Sequence, residues 1–295
     1  MVIRESRSEK VFTVFNYVFL VVFSLLCILP MINVLAVSFS EGPAAEGGLV
    51  GLWPIGANLK SYDYIISDGK FVRALLVSLK RLALGLAVTM SLTALAAYPL
   101  AKSKERFRAR EKYVWFFLIT MIFNGGLIPT YIVVQKMGLT NTIWALVLPQ
   151  ALPVFNVILL QNFFKALPTE IEESAFMDGA GHWQTLVSLY LPLSKPVLAT
   201  LTLFVAVNHW NSWFDGLIYM NSPTKYPLQS YLQTVVVNPD FATLSSQELQ
   251  DMWAGVVAKN SKAATIFLAA APIIVLYPFL QRYFIKGIVL GSVKG

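Results

Sequence analysis

Long uncharged stretches alternate with short charged ones along the chain. Six stretches of 19 to 30 residues contain no Asp, Glu, Lys or Arg, namely 11–40, 82–101, 113–135, 137–164, 196–214 and 263–281. A helix needs about 20 apolar residues to cross the bilayer core. Apolar residues here are continuous and do not alternate, so helices are predicted and not barrel strands. The pattern predicts six spans in one transmembrane domain over 1–295, near 11–37, 72–101, 113–134, 143–164, 196–214 and 263–284.

Composition agrees with an all-α integral membrane protein. Hydrophobic residues make up 56% of the chain and charged residues 13%, with a mean hydropathy of +0.62. Soluble domains usually carry about 25% charged residues. The single cysteine, Cys27, lies in an apolar stretch, so it cannot form a disulfide within the chain and is expected to be a small buried hydrophobe.

The distribution of Lys and Arg predicts the orientation. Fourteen basic residues fall on the side of the two termini, six of them in the connector KSKERFRAREK at 102–112, and six fall on the opposite side. The positive-inside rule therefore places both termini in the cytoplasm. The net charge of +7 is mainly this topology signal, and nucleic-acid binding is not predicted because the basic residues flank spans and form no single face. The first apolar stretch is too long for a cleaved signal peptide.

Two outer segments and one interrupted span also follow from the pattern. Residues 40–70 are rich in Gly and predict a loop, while 216–262 contain turn signals and a short amphipathic helix candidate, LQSYLQTVV. The third span is interrupted at Asn124–Gly126 and Pro129. Such a break either lies where protein or water covers the freed backbone, or marks a helix that ends near the membrane surface.

The connector 168–192, PTEIEESAFMDGAGHWQTLVSLYLP, is predicted to be cytoplasmic and acidic. Thr169 and Glu172 have the spacing of a capping box, and Gly179 and Gly181 end the first helix. A second helix, stopped by Pro192, has an apolar face suited to the membrane surface, formed by Trp183, Leu186, Val187, Tyr190 and Leu191. The segment is either a capped surface connector or an element that docks into a groove of another protein.

The residues of this connector resemble the EAA signature of ABC importer permeases. Glu173-Ser174-Ala175 is followed by Gly179, Leu189, Leu191 and Pro192, with Ser174 and Leu189 as mild departures from Ala and Ile. The stretches FNGGLIPTYIVVQKMGLTNTIWALVLP, VNHWNSWFDGLIYM and LQRYFIKGIVLGSVKG are similar to those of carbohydrate-type permeases. The resemblance covers roughly residues 10–295 and is strongest to permeases for polysaccharide-derived oligosaccharides, including alginate importers.

The resemblance implies a six-helix permease bundle in the bacterial inner membrane. It implies a coupling loop that contacts a separate ATPase through Glu172, Glu173, Ser174, Ala175, Met177, Asp178, Gly179 and Ala180. The implied partners are a second homologous permease, two ATP-binding subunits and an extracytoplasmic solute-binding protein. The chain has no G-x-x-x-x-G-K-[ST] phosphate loop, so no cofactor is expected in it, and ATP and Mg²⁺ belong to the partner ATPase.

The outer end of the fifth span is the candidate path for the sugar. Indole faces and amide groups alternate there, at Asn208, His209, Trp210, Asn211 and Trp213. Aromatic surfaces with a few polar groups are typical of small-molecule sites, although an aromatic belt at the outer membrane surface gives a similar pattern. Lys80 and Arg81 could add positive potential and favour an acidic, alginate-like oligosaccharide, or could only extend to the membrane surface.

Two other function classes are weighed against an ATP-driven importer. A secondary sugar transporter would be expected to carry acids or histidines within its spans, where only His209 is found. A membrane enzyme would need a catalytic or metal constellation, and His182 and His209 are the only histidines. No catalytic residue and no metal site are therefore predicted.

The topology is testable by labelling single cysteines in a chain whose Cys27 is replaced by Ser. A cysteine at Arg108 should react only from the cytoplasmic side, and one at Ser245 should react from outside. Labelling of Arg108→Cys in intact cells by a reagent that does not cross membranes would contradict the predicted orientation.

Overall fold

The computed structural model describes residues 7–237 and 259–292, with side chains described up to Val275 in the last helix. All regular secondary structure in these residues is helical, which confirms the all-α part of the predicted fold class. The helices are α1 (Arg7–Phe39), α2 (Gly42–Glu46), α3 (Lys60–Ser67), α4 (Lys70–Ala101), α5 (Arg110–Ile122), α6 (Leu127–Lys136), α7 (Ile143–Val147), α8 (Val154–Lys165), α9 (Thr169–Met177), α10 (His182–Thr185), α11 (Leu191–Leu193), α12 (Lys195–Asn211), α13 (Phe214–Tyr219), α14 (Leu228–Leu232) and α15 (Lys259–Ser292).

Short turns of other helix types join several of these elements. Leu148–Gln150 and Pro223–Lys225 form 3₁₀ turns, and Leu186–Tyr190 and Gln233–Val237 form π turns. The segment 40–70 contains α2 and α3, so the prediction that it is entirely loop was wrong. The predicted helix LQSYLQTVV corresponds to α14 and the π turn after it, while the turn signal at Asn238 and the labelling position Ser245 lie outside the described residues.

Several predicted spans are bent. Within the described residues, Ser8–Phe39 is long and apolar enough to cross a membrane as one helix, and three bent pairs raise this number to four if each pair counts as one span. The helices on either side of Asn124–Gly126 meet at 115°, those on either side of Ala151–Pro153 at 51°, and those on either side of Ser194 at 84°. Gly and Pro cause the first two bends, because Gly126 has a φ of +86° and Pro149 and Pro153 have no N–H to donate.

The first of two compact units comprises 1–71 and 234–271. Its small core consists of Ala36, Val37, Ala44, Ala45, Val50 and Ala263. Amide side chains hold the turns in place, since Asn33 donates to the carbonyl of Gly51 at 2.7 Å and Asn260 donates to that of Ser40 at 3.0 Å. The described residues of this unit leave most of the α1 surface uncovered, and the apolar side chains of α1 from Val11 to Ile32 are exposed.

The second unit comprises 72–233 and 272–295. Its main core joins α4, α8, the π turn and α12, through Ala94, Ala97, Tyr98, Leu100, Val157, Leu160, Phe164, Leu186, Tyr190, Val197 and Leu201. A second cluster joins α6, α7 and α13, through Val134, Ala145, Leu146, Tyr219 and Met220. Both candidate sites from the sequence analysis lie in this unit, at opposite ends of α12.

Candidate functional site

The connector 168–192 begins with α9, which ends in a left-handed turn at Gly179. The φ of Gly179 is +84°, a conformation that costs glycine little and other residues much more. Gly179 N donates to the carbonyl of Phe176 at 3.0 Å, and Ala180 N donates to that of Ala175 at 2.9 Å, which together form a Schellman motif. The prediction that Gly179 ends the helix is confirmed, whereas Gly181 has an extended backbone and caps α10.

Glu172 is buried and does not cap α9. The N-cap position of α9 is Pro168, with no side-chain capping bond. The Glu172 carboxylate instead accepts hydrogen bonds from Lys102 Nζ at 2.5 Å and from the Tyr190 hydroxyl at 2.8 Å, and the Arg106 guanidinium lies 3.2 Å away. The capping-box prediction was therefore wrong. With 4% of its surface exposed, Glu172 points into this chain, unlike the exposed residues among those predicted for coupling.

The surroundings of Glu172 keep it ionised. Burial alone would raise its pKa, but the hydrogen bonds from Lys102 and Tyr190 outweigh burial, and the pKa is lowered from its ordinary value. The ammonium group of Lys102 also lies over the Tyr98 and Tyr190 rings, 3.8 and 4.3 Å from their centroids. Burial, followed by the bond to the Glu172 carboxylate, raises the pKa of Tyr190, so this hydroxyl remains a donor.

The opposite side of α9 is exposed. Glu173, Ser174, Met177 and Asp178 point outward, and the apolar Met177 is 87% exposed. Glu173 also approaches Arg106 at 3.3 Å. Ala175 and Ala180 are half-buried beneath this face. An exposed thioether flanked by carboxylates is a surface that another protein can cover.

The segment after α9 packs only part of its predicted apolar face. Leu186 and Tyr190 are buried in the main core, Leu191 is half-buried, and Trp183 and Val187 are exposed. The π turn over Leu186–Tyr190 shifts the register, so the five residues do not share one side. Pro192 lies inside α11, and the helical segment ends after Leu193. The prediction of one amphipathic helix stopped by Pro192 was therefore wrong in its details.

At the other end of α12, the predicted sugar-path residues divide into two groups. Asn208, Asn211 and Trp213 are exposed in this chain, whereas His209 and Trp210 are buried. The His209 ring packs so closely on α4 that a Cβ on Gly85 would overlap it. His209 and Trp210 therefore hold α12 against its neighbours.

Arg81 is fully buried and neutralised. Its guanidinium forms a bidentate ion pair with Asp215, one of whose bonds is 3.1 Å long, and donates to the carbonyl of Ser212 at 3.2 Å. A buried charge needs such pairing, and removal of one partner typically costs about 3–5 kcal/mol. The expectation that Arg81 adds positive potential to a cavity was wrong, while Lys80, one residue earlier, is exposed.

Two clefts adjoin this end of α12. One, of about 290 Å³, is lined by residues of α4, α8 and α12, including Asn156, Asn208 and His209. The other, of about 420 Å³, lies at the bend between α5 and α6 and includes Asn124 and Asp215. Gln150 lines both clefts. Their amide groups can donate to and accept from hydroxyl groups, and aromatic rings stand beside them.

A match to a protein family identifies the class of protein that carries these two sites. Residues 112–289 match the family model described as the binding-protein-dependent transport system inner membrane component. The chain belongs to this family. It is a membrane-embedded permease subunit of an ABC transporter, and ATP hydrolysis resides on a separate subunit.

Individual relatives match this permease over nearly its whole length. Protein LplC of Bacillus subtilis is 39% identical over 98% of this chain and 97% of its own length. The polygalacturonan/rhamnogalacturonan transport system permease protein YtcP of Bacillus subtilis is 38% identical over 98% of this chain and 100% of its own. Among solved structures, a chain of a bacterial ABC transporter involved in the import of the acidic polysaccharide alginate aligns with a TM-score of 0.88 and 30% identity, covering 95% of this permease and 99% of that chain.

Several residues of both sites in this permease are not predicted by the sequence patterns. In those patterns Lys102 contributes only to the topology signal and Tyr190 only to an apolar face. Gln150, Asn156 and Asp215 were not considered for the sugar path. A signal existed for Gln150 and Asn156, because they are polar residues within an uncharged stretch of membrane-spanning length.

Proposed function

We propose that this permease forms half of the translocation path of an ATP-driven importer for an oligosaccharide. The observation that carries the proposal is the agreement of nearly the whole backbone with a chain of the alginate importer. The name of the relative YtcP supports a substrate derived from a polysaccharide such as polygalacturonan or rhamnogalacturonan. Beside these likenesses, the two clefts offer amide groups next to aromatic rings, the combination that carbohydrate hydroxyls and C–H faces require.

The proposed topology has six spans, with both termini in the cytoplasm of a bacterial cell. In this arrangement α5 with α6 and α7 with α8 each count as one span, α12 crosses without the segment before Ser194, and α1, α4 and α15 are the other three spans. Residues 168–192 then lie on the cytoplasmic side as the coupling loop. The proposed assembly pairs the permease with a second homologous subunit, two ATP-binding subunits that carry ATP and Mg²⁺, and an extracytoplasmic solute-binding protein. The exposed face of α9 supports the ATPase contact, because Glu173, Met177 and Asp178 are accessible in the part of the chain that the structure describes.

For the sugar path, we propose Asn208, Asn211 and Trp213 together with Gln150 and Asn156. The side chains of Asn208 and Asn211 in α12, and of Trp213 after it, are accessible. Asn208 lines the 290 Å³ cleft beside Asn156. His209 also lines this cleft, and Trp210 acts in this proposal as a packing residue behind the path.

An acidic oligosaccharide remains the proposed substrate, but Arg81 contributes no net charge to its binding. The names of YtcP and of the alginate importer support the acidic sugar. Within this chain, the Asp215 carboxylate cancels the charge of the buried Arg81. Of Lys80 and Arg81, only Lys80 is therefore left as an accessible positive charge.

Reconstitution of the full complex in proteoliposomes tests the function. The ATPase should be stimulated by the binding protein loaded with a galacturonate trisaccharide. Transport of that sugar should require ATP on the side of the vesicle membrane where the ATPase subunits lie. Maltotriose serves as the neutral control sugar and should stimulate less. Uptake driven by a proton or Na⁺ gradient without ATP would contradict an ATP-driven importer and favour a secondary transporter.

Replacement of Asn208 by Ala tests the path. Loss of one amide hydrogen bond to the sugar typically weakens binding by about 1 kcal/mol, so the apparent KM for uptake should rise roughly fivefold. The matched control is Asn221→Ala, which removes an exposed amide that lines neither cleft. Equal uptake by the Asn208→Ala variant and the parent complex would place the path elsewhere.

A further inference from the structure

Three segments meet at one buried contact on the proposed cytoplasmic side. Lys102 follows the last residue of α4, Glu172 lies in α9, and Tyr190 ends the π turn that leads through α11 into α12. We call these three side chains the cytoplasmic joint. Each contacts both of the others, at 2.5 Å between Lys102 and Glu172, 2.8 Å between Tyr190 and Glu172, and 3.2 Å between Lys102 and Tyr190.

The joint is the main inward anchor of α9. Glu172 is the only α9 residue that is buried among those described, and the remainder of the helix is exposed or half-buried. The partners of Glu172 are themselves immobilised. Tyr190 packs edge-on against the rings of Tyr98 and Phe164, with both centroid distances at 5.1 Å, and Lys102 has 7% of its side chain exposed.

From this geometry we propose that the cytoplasmic joint passes displacements of α9 directly to α4 and, through Tyr190, to α12. In this proposal Glu172 and Tyr190 are positioning residues for the coupling of ATP hydrolysis to transport, and they do not touch the ATPase. The inference rests on the proposed function, in which a partner ATPase moves α9.

A buried ion pair suits such a role better than it suits stability. Its desolvation cost often cancels its Coulombic gain, so apolar packing of equal volume would hold the fold as well. Directional, charge-assisted hydrogen bonds have one preferred geometry, however, and the joint orients α9 relative to two other helices at once. An apolar contact has no preferred direction, so α9 could shift relative to α4 and α12 without losing that contact.

A second buried ion pair of α4, formed by Arg81, supports the same interpretation. Arg81 is bonded to Asp215 and to the carbonyl of Ser212, directly after the end of α12. Lys102 follows Arg81 by 21 residues, which is roughly 30 Å along a helix. Buried ion pairs therefore tie α4 to the coupling loop at its C-terminal end and, at Arg81 within the helix, to the candidate sugar path.

Tyr190→Phe is the most selective variant. It removes the hydroxyl that bonds Glu172 and leaves the ring between Tyr98 and Phe164 and the Lys102–Glu172 pair in place. In the reconstituted complex we expect normal copurification and normal basal ATP hydrolysis. The number of galacturonate trisaccharides imported per ATP should fall about tenfold, within the range typical of coupling between two sites.

Glu172→Gln tests the same joint from its centre, with Glu170→Gln as the matched control. Glu170 lies on the same helix and is exposed, so the identical chemical change there should leave the transport ratio at the parent value. Glu172→Gln should lower the ratio at least as much as Tyr190→Phe. If Glu172→Gln fails to assemble because Lys102 loses its counter-charge, Tyr190→Phe decides the question.

Two results would overturn the proposal: a parent-like ratio in an assembled Tyr190→Phe complex, or an equal fall in Glu170→Gln. Both are separable from a failure of the proposed function. If the parent complex shows no ATPase stimulation by its sugar-loaded binding protein, the function fails. If the parent is stimulated and the joint variants keep its transport ratio, the joint fails alone.

Discussion

The buried carboxylate of Glu172 must be neutralised inside the protein, and three distant segments come together to do so. Lys102 supplies the charge at the first position after the long helix α4, and Tyr190 supplies a second donor from the π turn. The left-handed turn at Gly179 reverses the chain, so that Phe176 of α9 packs edge-on against His182 of α10, with 5.1 Å between their centroids. The orientation of the connector 168–192 follows from these contacts.

The same requirement shapes the other end of the bundle. Asp215 neutralises Arg81, and the carbonyl of Ser212 takes up a further guanidinium N–H. The extended backbone at Ser212, where α12 stops, places this carbonyl within reach. Because the pair carries no net charge, the proposed recognition of the sugar by this chain relies on amide and aromatic groups such as Asn156, Asn208 and Trp213. A preference for an acidic sugar would then depend on exposed lysine or on the partner subunits.

Local patterns predicted the helical fold and the turn at Gly179, because each depends on residues close together in sequence. The same local rules failed for Glu172 and Arg81. A capping box is inferred from residues three apart, whereas the lysine that binds Glu172 lies 70 residues away. Arg81 resembled an interfacial cation because its counter-charge is 134 residues distant. The bends at Gly126 and Pro153 were only partly predictable from the sequence, because the length of an uncharged stretch does not specify the direction in which its helices run.

The central claim is that α9 is held inward by Glu172 and presents its opposite face to a separate ATPase subunit. Met177 is the most direct reporter, because it is 87% exposed on that face. A photoreactive amino acid at position 177 of the assembled complex should form a cross-link to the ATP-binding subunit, identified by mass spectrometry. Cross-links that form only to lipid, or only within this permease, would contradict the account.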